Sequence, residues 1–278
     1  MLAALLIALA ARPSPGDHPR TILVGGVERH YVVHLPRPAR RGPLPLVVLL
    51  HGAGGSGWRV AASTRMSAEA DRRGFVAVYP DGAGGIWADD APFIRAMLDS
   101  VAHEVPVDPD RRYAAGISNG AMFAHRLACE LPGTFAAIAA VAGGMQEETA
   151  AACGARSAVS FIAFNGTADR LIPFDGGDGR LSATGSAAHW ARTDGCGAPL
   201  EPVPIADRAP NDGTRVRRIA WSGCPPGIAV VLYAVGGGGH TWPGTWPTRL
   251  RILGRTTLDV SATRAIAAFF LAHPRPAR

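Results

Sequence analysis

Gly116-Ile117-Ser118-Asn119-Gly120 sets one serine midway between two glycines. A side chain thrust clear of the backbone at such a point needs a turn so sharp that the flanking chain segments nearly touch. A Cβ two residues to either side would block that approach. With 34 glycines and twelve serines in 278 residues, chance alone would produce the pattern about 0.2 times, so the flanking segments decide its meaning. Residues 112–115 read as a short buried strand and residues 121–128 have the composition of a helix. Strand, tight turn and helix in that order are the context that a serine nucleophile on such a turn requires. The alternative is a glycine-rich loop carrying an idle serine.

The rest of the chain repeats this alternation. Residues 21–24 and 30–35, separated by Gly25-Gly26, read as an antiparallel hairpin at a sheet edge. Leu44–Leu50 is a continuous apolar run, the signature of a strand buried on both faces, and it discharges into His51-Gly52-Ala53-Gly54-Gly55-Ser56-Gly57. A helix is expected over 60–73 and a strand over 75–79, closed by Pro80-Asp81-Gly82. Over 90–105, Phe93, Ile94, Met97, Leu98 and Val101 make one apolar helical stripe. Further strands are expected over 135–141, 159–164 and 228–235, and helices over 182–193 and 261–273. Such alternation implies right-handed crossovers and a mostly parallel central sheet with helices on both faces. Ligands then sit beyond the carboxyl ends of the strands. Between Val141 and Val159 there is little room for a helical lid, so an open cleft suited to bulky or polymeric molecules is expected.

A hydrophobic content of 47% allows a large core, and no linker composition divides the middle of the chain. The expected division is a signal peptide and leader over 1–20 and one domain over 21–278. The formal charge is +6, yet every cationic residue is arginine and they fall as scattered pairs such as Arg72-Arg73 and Arg217-Arg218. That is a solvated surface rather than a stripe for nucleic acid. Residues 1–10 form an apolar run of the length of a signal-peptide core, too short to span a bilayer and with no Lys or Arg before it. A secreted or periplasmic location is expected, with no stable membrane insertion.

Cys129, Cys153, Cys196 and Cys224 show neither a C-x-x-C nor a spacing with histidine that would suit zinc. In an exported chain an even count suggests two disulfides, and pairing of neighbours would close loops of roughly 25 residues. Four small buried thiols are the alternative.

A serine hydroxyl is a poor nucleophile without a base, and an imidazole base needs a carboxylate to hold its tautomer. Of nine histidines, His240 has the favoured position, ending Tyr233-Ala234-Val235-Gly236-Gly237-Gly238-Gly239, a strand that empties into what reads as a flexible glycine loop. His189 falls within an expected helix, and His30 and His34 on the edge hairpin. Asp169 follows the strand expected over 159–164 and is the favoured acid, while Asp175, Asp178 and Asp194 read as turn or solvated residues. The backbone N–H groups of Ala53 and Asn119 occupy the positions from which a developing oxyanion is stabilised. The loop from His51 lacks the G-K-[ST] of a phosphate cradle. Trp87, Trp242 and Trp246 are candidates to wall a substrate group, with plain loop packing as the competing reading. No cofactor or metal is expected.

Leu50-His51-Gly52, Tyr79-Pro80-Asp81-Gly82, Val107-Asp108-Pro109-Asp110-Arg111, the Ser118 pentapeptide, Asn165-Gly166-Thr167-Ala168-Asp169 and Gly238-Gly239-His240-Thr241-Trp242-Pro243-Gly244 together resemble secreted esterases of the poly(3-hydroxybutyrate) depolymerase and feruloyl esterase family. The resemblance runs from about residue 21 to 273. It implies an α/β-hydrolase fold, metal-free ester hydrolysis, and Ser118, Asp169 and His240 as nucleophile, acid and base; the spacing between Val141 and Val159 adds that no large lid domain is expected. The family's cysteine pattern also resembles the four cysteines here. Relatives usually carry histidine where Asn165 stands and asparagine where Ala88 stands, departures that bear on substrate preference. Feruloyl or short-chain esters are the favoured substrates, with hydroxybutyrate polyester as the alternative. A peptidase, or an inactive exported binding protein on the same scaffold, would represent other classes.

Overall fold

A computed structural model describes residues 13–39, 42–154, 158–245 and 250–276. Ten strands form one sheet among them, in the order β1-β2-β4-β3-β5-β6-β7-β10-β9-β8. The strands are β1 (Gly16–Val24), β2 (Val27–Leu35), β3 (Leu44–Leu50), β4 (Val76–Pro80), β5 (Val107–Ile117), β6 (Ala137–Val141), β7 (Ser160–Gly166), β8 (Val203–Pro204), β9 (Arg215–Ala220) and β10 (Val230–Gly236). The six central strands from β4 to β10 run parallel, and each flank ends in antiparallel pairs.

Helices cover both faces because the central strands are apolar on both. Alternate residues of β3 point opposite ways: Leu46, Val48 and Leu50 join one core, Val47 and Leu49 the other. The first core lies under α3 (Ala91–Glu104), α4 (Asn119–Glu130) and α6 (Ala183–Thr193), filled by Phe93, Met97, Phe123, Leu127 and Trp190. The second lies under α1 (Gly57–Thr64), α2 (Met66–Arg73) and α7 (Ala262–Ala272), filled by Val60, Met66, Ala70, Ile266 and Phe270. The central α/β layering therefore matches the sequence expectation.

Four local features differ from it. Strand β1 begins at Gly16, not near residue 21, and pairs with β2 over its whole length. Its alternate residues are exposed and Pro19 lies within it, which an edge strand tolerates but which weakens the strand signal. The helix expected over 60–73 is two helices, because Arg65 adopts a left-handed conformation (φ 56°) between α1 and α2. Strands β8 and β9 were not anticipated. Three of the six residues of β9 are arginine, and it becomes a strand by pairing with β10. Between β6 and β7 the described chain forms the six-residue helix α5 (Glu147–Ala152), with no larger helical insertion.

Two disulfides join neighbours in sequence. Cys129–Cys153 ties the end of α4 to the end of α5, and Cys196–Cys224 ties the segment after α6 to the approach to β10. Each closes a loop of more than twenty residues, so replacing Cys129 and Cys153 by serine is expected to lower unfolding free energy by about 3 kcal/mol in a denaturant titration.

At the end of α6, Asp194 is buried and accepts the Val159 N–H through Oδ1, while its Oδ2 finds no partner. Burial pushes its carboxyl up to about 7. The folded protein thus keeps a proton that the unfolded chain gives up near pH 4, and stability from this group falls between about pH 4 and 7, then levels. His125, which accepts the Trp190 indole N–H from α6, acts in the opposite direction: fully buried, it is pushed down to about 3 by desolvation and by His189. Its neutrality raises stability as pH climbs from about 3 to 6.5. Comparing Asp194→Asn with wild type cancels the histidine contribution. The variant is expected to gain on wild type progressively from pH 4 to 7, reaching roughly 2–4 kcal/mol by chemical denaturation.

Candidate active site

Ser118 stands at the carboxyl end of β5 with φ 56° and ψ −122°, a backbone conformation that costs a non-glycine residue about 1–3 kcal/mol. Surrounding hydrogen bonds hold it there. Its N–H donates to the Val141 carbonyl at 2.9 Å, and its own carbonyl accepts the N–H groups of Ala121 and Met122 at 2.9 and 3.0 Å. The two flanking glycines are required by contact rather than flexibility. A Cβ on Gly116 would collide with the Gly120 carbonyl, and one on Gly120 would collide with the carbonyls of Leu50 and His51. The turn is therefore pressed against the end of β3 as well as against itself.

Asp169 follows β7 by three residues and is buried. Its Oδ1 accepts the N–H groups of Leu171 and Ile172 at 2.8 and 2.9 Å, which leaves Oδ2 aimed at His240 Nδ1, 2.7 Å away. A carboxylate at Nδ1 keeps the imidazole proton there and leaves the Nε2 lone pair free to accept a proton. His240, 8% exposed, lies four residues past the end of β10.

The glycines before His240 do not make a loose loop, as the sequence suggested. Gly239 donates to Arg255 and His240 to Leu253, and Gly166, at the end of the acid-bearing strand, lies against the Gly238 carbonyl with no room for a side chain. A Cβ on Gly239 would strike the Leu253 carbonyl. Backbone packed on backbone fixes the imidazole relative to its carboxylate.

The strands that carry these residues, β5, β7 and β10, share one carboxyl edge, with β6 between the first two. The structure joins Asp169 to His240 directly. It does not join Ser118 to His240: neither Ser118 Oγ nor His240 Nε2 has a hydrogen-bond partner among the described residues.

The Ala53 and Asn119 backbone N–H groups also lack acceptors among the described residues. The loop bearing Ala53 crosses beside the serine, since a Cβ on Gly52 would lie 3.4 Å from Ser118 Cβ. Its conformation is set by His51, whose Nε2 accepts the Gly82 N–H at 3.0 Å and whose Nδ1 bonds the Gly52 carbonyl at 2.8 Å. Among the described residues no group of three His, Cys, Asp or Glu side chains is arranged to hold a metal ion.

Trp87 and Trp242 behave as packing residues. Trp87 is 6% exposed, stacked on Phe123, and donates its indole N–H to the His51 carbonyl at 2.8 Å. Trp242 is 4% exposed, sits in the core under α7, and donates to Thr263 Oγ1. Both indoles are turned inward, away from the substrate-wall role set out for them. Trp246 lies outside the described residues. Asn165 is buried in β7 with its Oδ1 unpartnered.

Sequence reasoning missed the Asn119 side chain, whose Oδ1 accepts the Trp87 N–H at 2.7 Å. It also missed the segment 253–257 that clamps the histidine loop. No sequence signal links residues so far apart.

Comparison with known proteins identifies the family and the fold. The family model described as esterase PHB depolymerase matches residues 29–172. NocK of Nocardia uniformis subsp. tsuyamanensis, a protein assigned as an esterase, is 31% identical over 91% of this chain and 82% of its own. Feruloyl esterase C of Emericella nidulans is 28% identical over 82% of this chain and 83% of its own. Among solved structures, acetyl xylan esterase from Aspergillus awamori superposes with a TM-score of 0.62 at 16% identity, covering 81% of this chain and 94% of that one, a likeness of α/β-hydrolase fold. Over half its length in the family model and nearly all of it in the first relative, the chain belongs to the PHB depolymerase esterase family.

Proposed function

We propose that this serine esterase works through Ser118 as nucleophile, His240 as general base and Asp169 as the carboxylate that orients and stabilises the imidazolium. The observation that carries the reading is the 2.7 Å bond from His240 Nδ1 to Asp169 Oδ2, on the same sheet edge as the strained Ser118 turn. In the first half-reaction His240 Nε2 takes the Ser118 proton, Oγ attacks the ester carbonyl, and the tetrahedral oxyanion rests on the Ala53 and Asn119 amides. The imidazolium then protonates the departing alcohol. Water, deprotonated by His240, releases the acid from the acyl-enzyme and returns Ser118 to its starting state.

We infer feruloyl-type or short-chain esters as the substrates. Two lines support this: the likeness to feruloyl esterase C over most of both chains, and the small helix α5 where a lid could have been inserted, which leaves room for a bulky alcohol portion. Hydroxybutyrate polyester is the competing substrate, favoured by the family's description. We also infer an exported protein with one catalytic domain after its leader; the leader expected over 1–20 overlaps β1, which begins at Gly16, so the domain takes in residues before 21. Two disulfides suit an oxidising compartment. No described helix is long and apolar enough to cross a membrane.

Fluorophosphonate labelling and ester turnover test the chemistry together. Wild type is expected to label stoichiometrically, and Ser118→Ala to lose both labelling and turnover. Asp169→Asn is expected to fold and to lose about 10⁴-fold in kcat, because the amide favours the wrong imidazole tautomer. Turnover of p-nitrophenyl butyrate by Ser118→Ala at the wild-type rate would refute the assignment. Parallel rates on methyl ferulate, p-nitrophenyl butyrate and a hydroxybutyrate film rank the substrate classes.

Gly239→Ala tests the backbone clamp. The new methyl must displace either the histidine loop or the Leu253 carbonyl, so a loss of about 100-fold in kcat is expected while Ser118 remains in place. Unchanged kinetics would show that the loop accommodates a side chain.

A further inference from the structure

We propose that Trp87 is a positioning residue, a strut that sets the separation between the two oxyanion amides. The inference rests on the reading that Ala53 and Asn119 supply those amides. They lie on different elements, one in the loop after β3 and the other at the start of α4. Some rigid part must hold one against the other to within a fraction of an ångström, because such donors stabilise the transition state only where the charge develops.

One face of α4 captures the segment carrying Trp87 almost completely. Asn119 engages both backbone groups of Trp87: its Oδ1 accepts the N–H at 2.7 Å, and its Nδ2 donates to the carbonyl at 3.4 Å. One turn further along, Phe123 stacks on the indole, with ring centroids 5.2 Å apart and planes 7° from parallel. Another turn on, Arg126 donates to the Ala88 carbonyl at 2.7 Å. Residues 119, 123 and 126 fall on one helical face, so the helix that begins with one oxyanion amide is the same body that grips Trp87.

The far end of the indole reaches the other donor. Its Nε1 donates to the His51 carbonyl at 2.8 Å, and the ring lies 4.8 Å from the imidazole of His51. His51 in turn shapes the Gly52-Ala53 loop through its two ring nitrogens. The path from Asn119 to Trp87 to His51 to Ala53 thus consists of consecutive hydrogen bonds and covalent links. Two of its bonds can be deleted while an aromatic ring stays at position 87: the indole N–H bond, by Trp87→Phe, and the bond that Asn119 Oδ1 accepts, by Asn119→Ala. Asp90 closes the path from behind: it accepts the Ala88 N–H at 2.9 Å and pairs with Arg29, whose guanidinium lies 4.0 Å above the Phe93 ring.

Trp87→Phe keeps a stacking ring and deletes the indole donor. It is expected to lower kcat about 10-fold or more with KM little changed. The affinity of an aryl trifluoromethyl ketone, whose serine adduct carries an oxyanion, should weaken by a comparable factor. Asn119→Ala retains its backbone amide but releases Trp87, and it should act in the same direction. In the double variant the two losses should be less than multiplicative, since each breaks the same path. A purely structural role for Trp87 predicts a lower Tm with kcat per fluorophosphonate-titrated site and ketone affinity unchanged, and that result overturns the strut. Independent, multiplicative losses overturn it also. If Trp87→Phe does not fold, Asn119→Ala alone decides by the same two readouts. Failure of wild type to label with fluorophosphonate would instead remove the catalytic reading and the strut together, so the two failures are separable.

Discussion

Backbone packed directly on backbone is the constraint from which this active-site edge is built. Gly116 against Gly120, Gly120 against the end of β3, Gly166 against Gly238 and Gly239 against Leu253 are all approaches that a single Cβ would obstruct. The first closes the serine turn on itself, and the others join segments separated along the chain at the carboxyl edge of the sheet. The result is a site whose reactive groups are held by main chain, the least deformable part of a protein. Loops that would otherwise wander are fixed by contact, and the order of the central strands then decides which loops meet.

Within that frame, polar surroundings decide which side chains are useful. His240 and His125 are both buried, yet they differ in what faces them. His240 meets a carboxylate at Nδ1, which gives an imidazolium a counter-charge. His125 accepts the Trp190 indole N–H at Nδ1, has no partner at Nε2, and is pushed down to about 3 by its surroundings, so it remains a neutral core residue at physiological pH. The carboxylates divide in the same way. Asp169 has two backbone N–H groups and an imidazole on its oxygens, whereas Asp194 has one backbone N–H and an orphaned Oδ2, and burial keeps its proton on up to about pH 7.

The sequence was most informative where a pattern is local. Leu44–Leu50 is apolar throughout because both its faces are covered, and the stripe on α3 repeats at helical spacing, so both elements could be read directly. It was least informative where structure depends on a neighbour. Strand β9 carries arginines at alternate exposed positions and is a strand because β10 is adjacent. The break at Arg65 has no glycine to announce it, since a non-glycine residue takes the left-handed conformation there. Trp87 and Trp242 stand beside motif residues in sequence, which suggested substrate contact. Both turned inward, because a buried indole finds an acceptor and a packing partner in the core.

What the chain determines by itself is the alternation of strands and helices, the serine turn with its obligatory glycines, and which histidine and aspartate follow strands. These are properties of consecutive residues, written in periodicity and in steric allowance. Tertiary structure alone decided that Asp169 would spend one oxygen on two backbone amides and offer the other to His240, and that the glycines before His240 would be clamped rather than loose. It also decided that Asn119 would hold Trp87 across 32 residues of sequence. Distances between elements follow from how side chains fill the space between sheet and helices, and no local pattern encodes that volume.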